Sequence, residues 1–166
     1  MLIRRETPSD IDTIAAVTIA AFRTLAISQH TEQFIINALR RAGALTLSLV
    51  AEMHEQVVGH VAFSPVTIAD GSQHWYGLGP ISVLPDYQKQ GIGKALIQTR
   101  LAELKQLSAQ GCCLVGDPNY YTRFGFQNYP DLVHEDVPAS VFLALPFTEA
   151  VPKGIVTFHE GFGAND

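Results

Sequence analysis

Two short stretches hold residue types whose spacing suits chemistry. The first is Ile81–Lys94, which reads Ile-Ser-Val-Leu-Pro-Asp-Tyr-Gln-Lys-Gln-Gly-Ile-Gly-Lys. An apolar strand ends at Val83, Pro85 and Asp86 break it, and a loop with Gly91 and Gly93 runs into an amphipathic helix. The first N–H groups of a helix have no partner within it and lie at the positive end of its dipole. A strand that delivers a glycine loop onto such an end builds an anion site, in which phosphate or pyrophosphate can settle on backbone alone. Glycines there let the anion approach closely. The second stretch is Tyr120-Tyr121-Thr122-Arg123-Phe124-Gly125-Phe126. A phenol with a pKa of about 10 stays protonated at neutral pH and can donate a proton. Aromatic residues beside a turn are, however, more often core than chemistry.

Counting narrows the anion site. A dinucleotide fingerprint G-x-G-x-x-G beginning at Gly91 fails at its third glycine, where Leu96 stands. A P-loop ending on Gly93-Lys94 fails at both ends, at Gln88 and Ala95. The 6 histidines show no metal-ligand spacing, so no metal is expected. No Gly-x-Ser-x-Gly occurs, so serine hydrolysis lacks support.

The elements that position these stretches follow from periodicity. Leu2–Arg5 reads as a first strand. Thr7-Pro8-Ser9-Asp10 starts a helix with Ile11, Ile14, Ala15, Thr18 and Phe22 on its inner face. After a loop from Thr24 to His30, a second helix begins near Thr31, with Phe34, Ile35, Ala38, Leu39 and Ala42 inward and Gly43 as its stop. From Leu45 the period falls to two, which predicts a strand with one buried face. His54-Glu55-Gln56 is a turn and Val57–Ile68 a long strand, with Gly59 and Pro65 marking a bulge or bend. Asp70-Gly71 signals a hairpin into His74–Val83, where Gly77, Gly79 and Pro80 predict a second bulge. The helix after the loop buries Ile92, Leu96, Ile97, Leu101, Leu104 and Leu107, and turns Gln98, Glu103 and Lys105 to water. Cys112–Gly116 is then a buried strand, expected to lie parallel to the one ending at Val83 in a unit of about 35 residues. Asp117-Pro118 opens a short helix, and late strands fall near Val141–Leu145 and Ile155–Phe158.

Composition bounds the rest. At 166 residues, with 47% hydrophobic and 16% charged residues, the chain is expected to form a single α/β domain over 1–166. The net charge of -5, with no basic run, argues against nucleic acid and is compatible with a cationic acceptor. Cys112 and Cys113 are neighbours that would point to opposite strand faces, so they are expected to be buried free thiols. Neither a signal core nor a stretch of membrane-spanning length is visible, and a cytoplasmic protein is expected. The apolar late strands suit either a homodimer face or the monomer's own core.

Gln88-Lys89-Gln90-Gly91-Ile92-Gly93 fits the pattern Gln/Arg-x-x-Gly-x-Gly/Ala without a gap. With Ile81-Ser82-Val83, Pro85 and Tyr87 before it and Tyr121-x-x-x-Gly125-Phe126 after it, the chain resembles the GCN5-related N-acetyltransferase (GNAT) superfamily. Leu-Gly-Pro-Ile-Ser-Val and Gly-Asp-Pro-Asn-Tyr-Tyr-Thr-Arg-Phe-Gly-Phe are similar to its YhbS-like branch. The resemblance covers most of the chain. It implies a mixed, mostly antiparallel sheet with one parallel pair splayed around the cofactor and helices on both faces. It implies acetyl-CoA as co-substrate and transfer of its acetyl group to a primary amine, of a small molecule or a peptide, in a ternary complex. The backbone of Ile81, Ser82 and Val83 would hold the thioester and pantetheine arm. Lys89, Gln90, Gly91, Ile92, Gly93 and Lys94 would hold the pyrophosphate, with Gln88 ordering the loop. Tyr121 would be the general acid for the departing thiolate, with Tyr120 as the off-register alternative.

The family's usual glutamate base finds no match before Val83; His74, Tyr76 and Asp117 are the nearby polar residues. The family's asparagine falls on Leu114, and Asn119 stands at a different spacing. The acceptor would be shaped by Phe22–His30 and the C-terminal strands. A non-catalytic acyl-CoA sensor is the alternative reading.

Overall fold

The computed structural model describes all 166 residues, Met1–Asp166. Strands β1 (Leu2–Arg5), β2 (Leu47–Met53), β3 (Gln56–Ile68) and β4 (Trp75–Val83) pair antiparallel in that order. The β2–β3 turn places His54 and Glu55 at φ 49° and 64°. Two left-handed residues give the type I′ geometry that matches the twist of its strands. Leu47–Ala51 is buried without interruption, where alternation predicted one buried face. Both faces are covered: Leu49 and Ala51 pack in the cluster with Leu96 and Ile97, and Val50 packs with Ile14, Val17 and Ile36 on the other side.

Helices therefore cover both faces of the sheet. Helix α1 (Ile11–Phe22) follows a 3-10 turn at Pro8–Asp10. The Asp10 carboxylate accepts from the Thr7 N–H at 2.7 Å and from Arg4 Nη1 at 2.7 Å, tying the helix start to β1. The buried stripe is Ile14, Val17 and Thr18, while Ile11 and Ala15 are only half-buried. Helix α2 (Glu32–Arg41) buries Ile35, Ile36 and Leu39, and Ala42 lies exposed past its end. Helix α3 (Ile92–Gln106) packs on the opposite face through Ile92, Leu96, Ile97, Leu101 and Leu104. Leu107 is instead exposed beyond the last turn. Glu103 does not face water as expected; it sits between Arg5 and Arg100.

The feature that positions the site is a split in the sheet. Strand β5 (Gly111–Val115) runs parallel to β4, as the sequence predicts, but pairs with it only at Trp75–Gly77 against Gly111–Cys113. Beyond that, β4 bends. Its register against β3 shifts between Val61 and Phe63, and Gly79 takes φ 137°. Strand β5 meanwhile stays paired along its length with β7 (Phe142–Pro146). A wedge opens between the C-terminal halves of β4 and β5. The other bulge lies at Ala51/Glu52 opposite Gly59, whereas Pro65 pairs with Tyr76 without a shift.

Strand β8 (Gly154–Phe158) joins the far end of β3 and pairs with β6 (Leu132–Val133), an element of 2 residues that has no periodicity to announce it. Phe142, Ala144 and Val156 pack with Trp75 and Cys113, so the late strands fill this chain's own core.

One buried polar pair makes the fold acid-sensitive. His60 is fully enclosed, with Nε2 2.8 Å from Ser48 Oγ and no partner at Nδ1. Burial lowers its pKa to about 4, against a raising influence from Glu6. The unfolded chain therefore binds a proton that the folded chain refuses between pH ~6.5 and ~4. Stability from this group is complete above that window and falls as pH drops through it. Urea midpoints should decline from pH 6.5 to pH 4, and His60→Gln should flatten part of that decline. An unchanged slope in the variant would remove His60 as the cause.

Candidate active site

The loop between β4 and α3 is held by its own side chains. Gln88 Nε2 donates to the Val83 carbonyl at 3.0 Å, and Gln90 Nε2 to the Asp86 carbonyl at 3.1 Å. Lys89 and Gly91 adopt left-handed conformations, at φ 63° and 86°, and Gly91 caps the helix. The Ala95 N–H closes onto the Gly91 carbonyl at 3.0 Å. The N–H groups of Ile92, Gly93 and Lys94 therefore precede the helical ladder and have no partner within it. A Cβ at Gly93 would stand 3.3 Å from the Tyr120 hydroxyl, so glycine keeps that approach open.

The bent end of β4 supplies a second set of backbone groups. Leu84 N–H donates to the Val58 carbonyl at 2.8 Å. Antiparallel ladders alternate, so Ser82 also turns its backbone groups toward β3, while Ile81 and Val83 turn theirs into the wedge. The Ser82 hydroxyl is buried 3.4 Å from Thr18 Oγ1 on the α1 side. Of the three strand residues singled out in sequence, Ile81 and Val83 face the opening and Ser82 braces it from behind.

The phenols come from α4 (Pro118–Tyr121). Asp117 caps it, its Oδ1 accepting from the Asn119 N–H at 2.9 Å. Tyr121 lies edge-on to Tyr120 at 4.9 Å and to Phe126 at 6.1 Å between centroids. A Cβ at Gly116 would fall 2.5 Å from its ring, so only glycine leaves room for it. Burial pushes the Tyr121 phenol up to about 12, with Tyr120 and Asp117 adding to the shift. Burial also raises Tyr120, opposed by the Arg123 guanidinium. That guanidinium lies 4.6 Å over the Tyr120 ring and donates to the Tyr120 carbonyl at 2.8 Å.

These groups line a cavity of about 420 Å³ whose charged residues are Lys89, Lys94 and Arg123, with no carboxylate. A second cavity of about 760 Å³ lies behind it, between the α1–α2 connection, the bend of β4 and the tail after β8. Its walls hold Glu32, Asp117 and Glu160 but no lysine or arginine. Ile81 and Tyr121 belong to both walls, so the cavities meet there.

All the loop and strand residues singled out in sequence line the first cavity except Gln90, which acts as a brace. Arg123 and Tyr87 join them. Arg123 lies inside the Tyr-Tyr-Thr-Arg-Phe-Gly-Phe stretch but had no role assigned there, and its only signal was a cation three residues after Tyr120 on a short helix. Of the polar residues considered as bases, Asp117 reaches the second cavity, while His74 and Tyr76 reach neither; Asn119, weighed against the family's asparagine, also lines neither. Phe22 and Leu25, from the segment expected to shape the acceptor side, do line the second cavity.

The chain as a whole has counterparts among known proteins. Residues 45–128 match the model of the acetyltransferase (GNAT) domain, and the chain belongs to that family of acyltransferases. The chain is 38% identical over 128 residues to the N-acetyltransferase YhbS of Escherichia coli K12, covering 76% of this chain and 74% of that one. Among solved structures, a GNAT family acetyltransferase of Brucella melitensis in complex with acetyl-CoA superposes with TM-score 0.87 at 49% identity, covering 97% of each chain. YhbS of E. coli in complex with CoA superposes with TM-score 0.88 at 34% identity, covering 98% of this chain and 91% of that one.

Proposed function

We propose that the chain, acting over 1–166 as one catalytic unit, transfers the acetyl group of acetyl-CoA to a primary amine by direct attack in a ternary complex. The observation that carries this reading is the pair of oppositely charged cavities meeting at Ile81 and Tyr121. The first suits a polyanionic donor; the second suits a molecule that arrives as a cation. The relatives in complex with acetyl-CoA and CoA support the same donor here.

In this reading the free N–H groups of Ile92, Gly93 and Lys94 take the pyrophosphate, with Lys89, Lys94 and Arg123 adding positive charge. Gln88 holds the loop in shape by its bond to Val83. The Ile81 and Val83 edge pairs with the pantetheine arm and steadies the thioester oxygen as it gains charge. The neutral amine attacks the carbonyl carbon, the C–N bond forms and the C–S bond breaks. The thiolate takes the Tyr121 proton, the new amide loses its extra proton to water, and the Tyr121 phenolate regains a proton from water. Tyr121 holds its proton at neutral pH, as a donor must, although burial makes it a weaker acid than a free phenol.

The test is a library of primary amines incubated with acetyl-CoA while free thiol is followed. Thiol release above hydrolysis, with the acetylated amine found by mass, is expected for cationic amines. Tight acetyl-CoA binding without transfer to any amine would instead favour a sensor.

A further inference from the structure

The second cavity carries information about the acceptor beyond its charge. Its walls are largely apolar, with Phe22, Leu25, Ile35, Val115, Phe158 and Phe162 among them. Most of its polar groups are already engaged. Asp117 is spent on capping α4. His134 Nδ1 donates to the Val156 carbonyl at 2.9 Å, and its ring lies edge-on to Phe158. His159 Nδ1 accepts from the Gly161 N–H at 3.0 Å. Glu160 is exposed. Glu32 differs from all of these. It opens α2, its Oε1 is engaged by the Ser28 hydroxyl, and its Oε2 is buried with no partner at all. A carboxylate oxygen withdrawn from water without a hydrogen bond is costly; Glu32 also forms part of the cavity wall, and a turn of its side chain toward the cavity would let a donor there relieve that cost.

We propose that Glu32 is a specificity-determining residue that receives a second cationic group on the acceptor. The acceptor class is then a molecule with two amines separated by an apolar body. One amine, unprotonated, faces Ile81 and Tyr121 for acetylation. The other, as an ammonium, donates to Glu32 while the apolar body lies along Phe22, Ile35 and Phe158. This inference rests on the acetyl-transfer reading for the identity of the reacting end, but the binding it describes can be measured without turnover.

The test compares α,ω-diaminoalkanes of six, eight and ten carbons with n-alkylamines of the same lengths. Binding is followed by calorimetry on the full chain with CoA present, and kcat/KM by thiol release with acetyl-CoA. The best diamine should bind about tenfold more tightly than its monoamine, as a charge-assisted hydrogen bond to a half-buried carboxylate allows. Its kcat/KM should exceed the monoamine's by more than the twofold that two equivalent amines give by counting. Glu32→Gln keeps the bond to Ser28 and should erase the preference, costing the diamine more than the monoamine; Glu32→Asp should restore part of it. Equal affinities for diamine and monoamine, or a Glu32→Gln loss shared equally by both, would overturn the assignment. Diamine binding that depends on Glu32 but yields no thiol would uphold it and overturn the acetyl-transfer reading instead.

Discussion

Tyr121→Phe is expected to lower turnover by about two to three orders of magnitude while leaving acetyl-CoA affinity within about twofold. The substitution removes one oxygen and keeps the ring. The contacts that seat the ring, against Gly116 and edge-on to Phe126, remain. Stability should therefore change little, and a loss of rate reports the hydroxyl alone. The pKa of about 12 adds a second signature. The phenol is protonated across the usual assay range, so the wild-type rate should show no alkaline limb from this group below about pH 10. Tyr120→Phe is the matched control, because Tyr120 lines the first cavity but not the second. A wild-type rate for Tyr121→Phe with a slow Tyr120→Phe would move the proton donor one residue.

Gly91→Glu should reduce acetyl-CoA affinity by about a hundredfold or more, equivalent to roughly 2.7 kcal/mol. Three effects add. The left-handed φ of 86° costs any L side chain about 1–2 kcal/mol. A carboxylate at the helix cap repels the incoming phosphates. The side chain also fills the space that the phosphates would enter, since nothing lies within 4 Å of a Cβ at this position. A carboxylate at a helix N-terminus interacts well with the dipole, which offsets part of the strain, so the fold should persist. Gly91→Ala isolates the backbone strain and should lose much less affinity. Titration calorimetry that found Gly91→Glu binding as wild type does would remove the loop from the donor site.

What could be read in the sequence was what is local. Gly91, Gly93 and Gln88 announce their loop because a tight, left-handed cap and an open approach demand those types within six residues. The β4–β5 crossover followed from one strand, one helix and one apolar run. The second cavity was only partly foreshadowed. Phe22, Leu25 and Phe158 fall in segments expected to shape it, but Glu32, Ile81, Asp117 and Phe162 are far apart in sequence and meet through the split and the return of β8. Nothing in the neighbours of Glu32 marks an oxygen without a partner. Burial was misread where it depends on what covers an element. Alternation in β2 predicted one wet face, yet α1 and α2 cover what α3 leaves. Leu107 looked like one more turn of the stripe and lies past its end.

The wedge between β4 and β5 also places an unusual hazard in the molecule. Sheets normally keep unpaired strand edges at their rim, where short strands, charges or a covering loop discourage wrong partners. Here two such edges lie within the sheet and not at its rim, beside Ile81 and Val115, where the two strands part and leave ladder groups unpaired. Any extended segment with alternating donors and acceptors could zip into it, including a strand from another copy of the chain. A resident cofactor would then act as a stopper as well as a reagent. Emptying the site during purification would expose the chain to strand exchange at the point where the sheet divides.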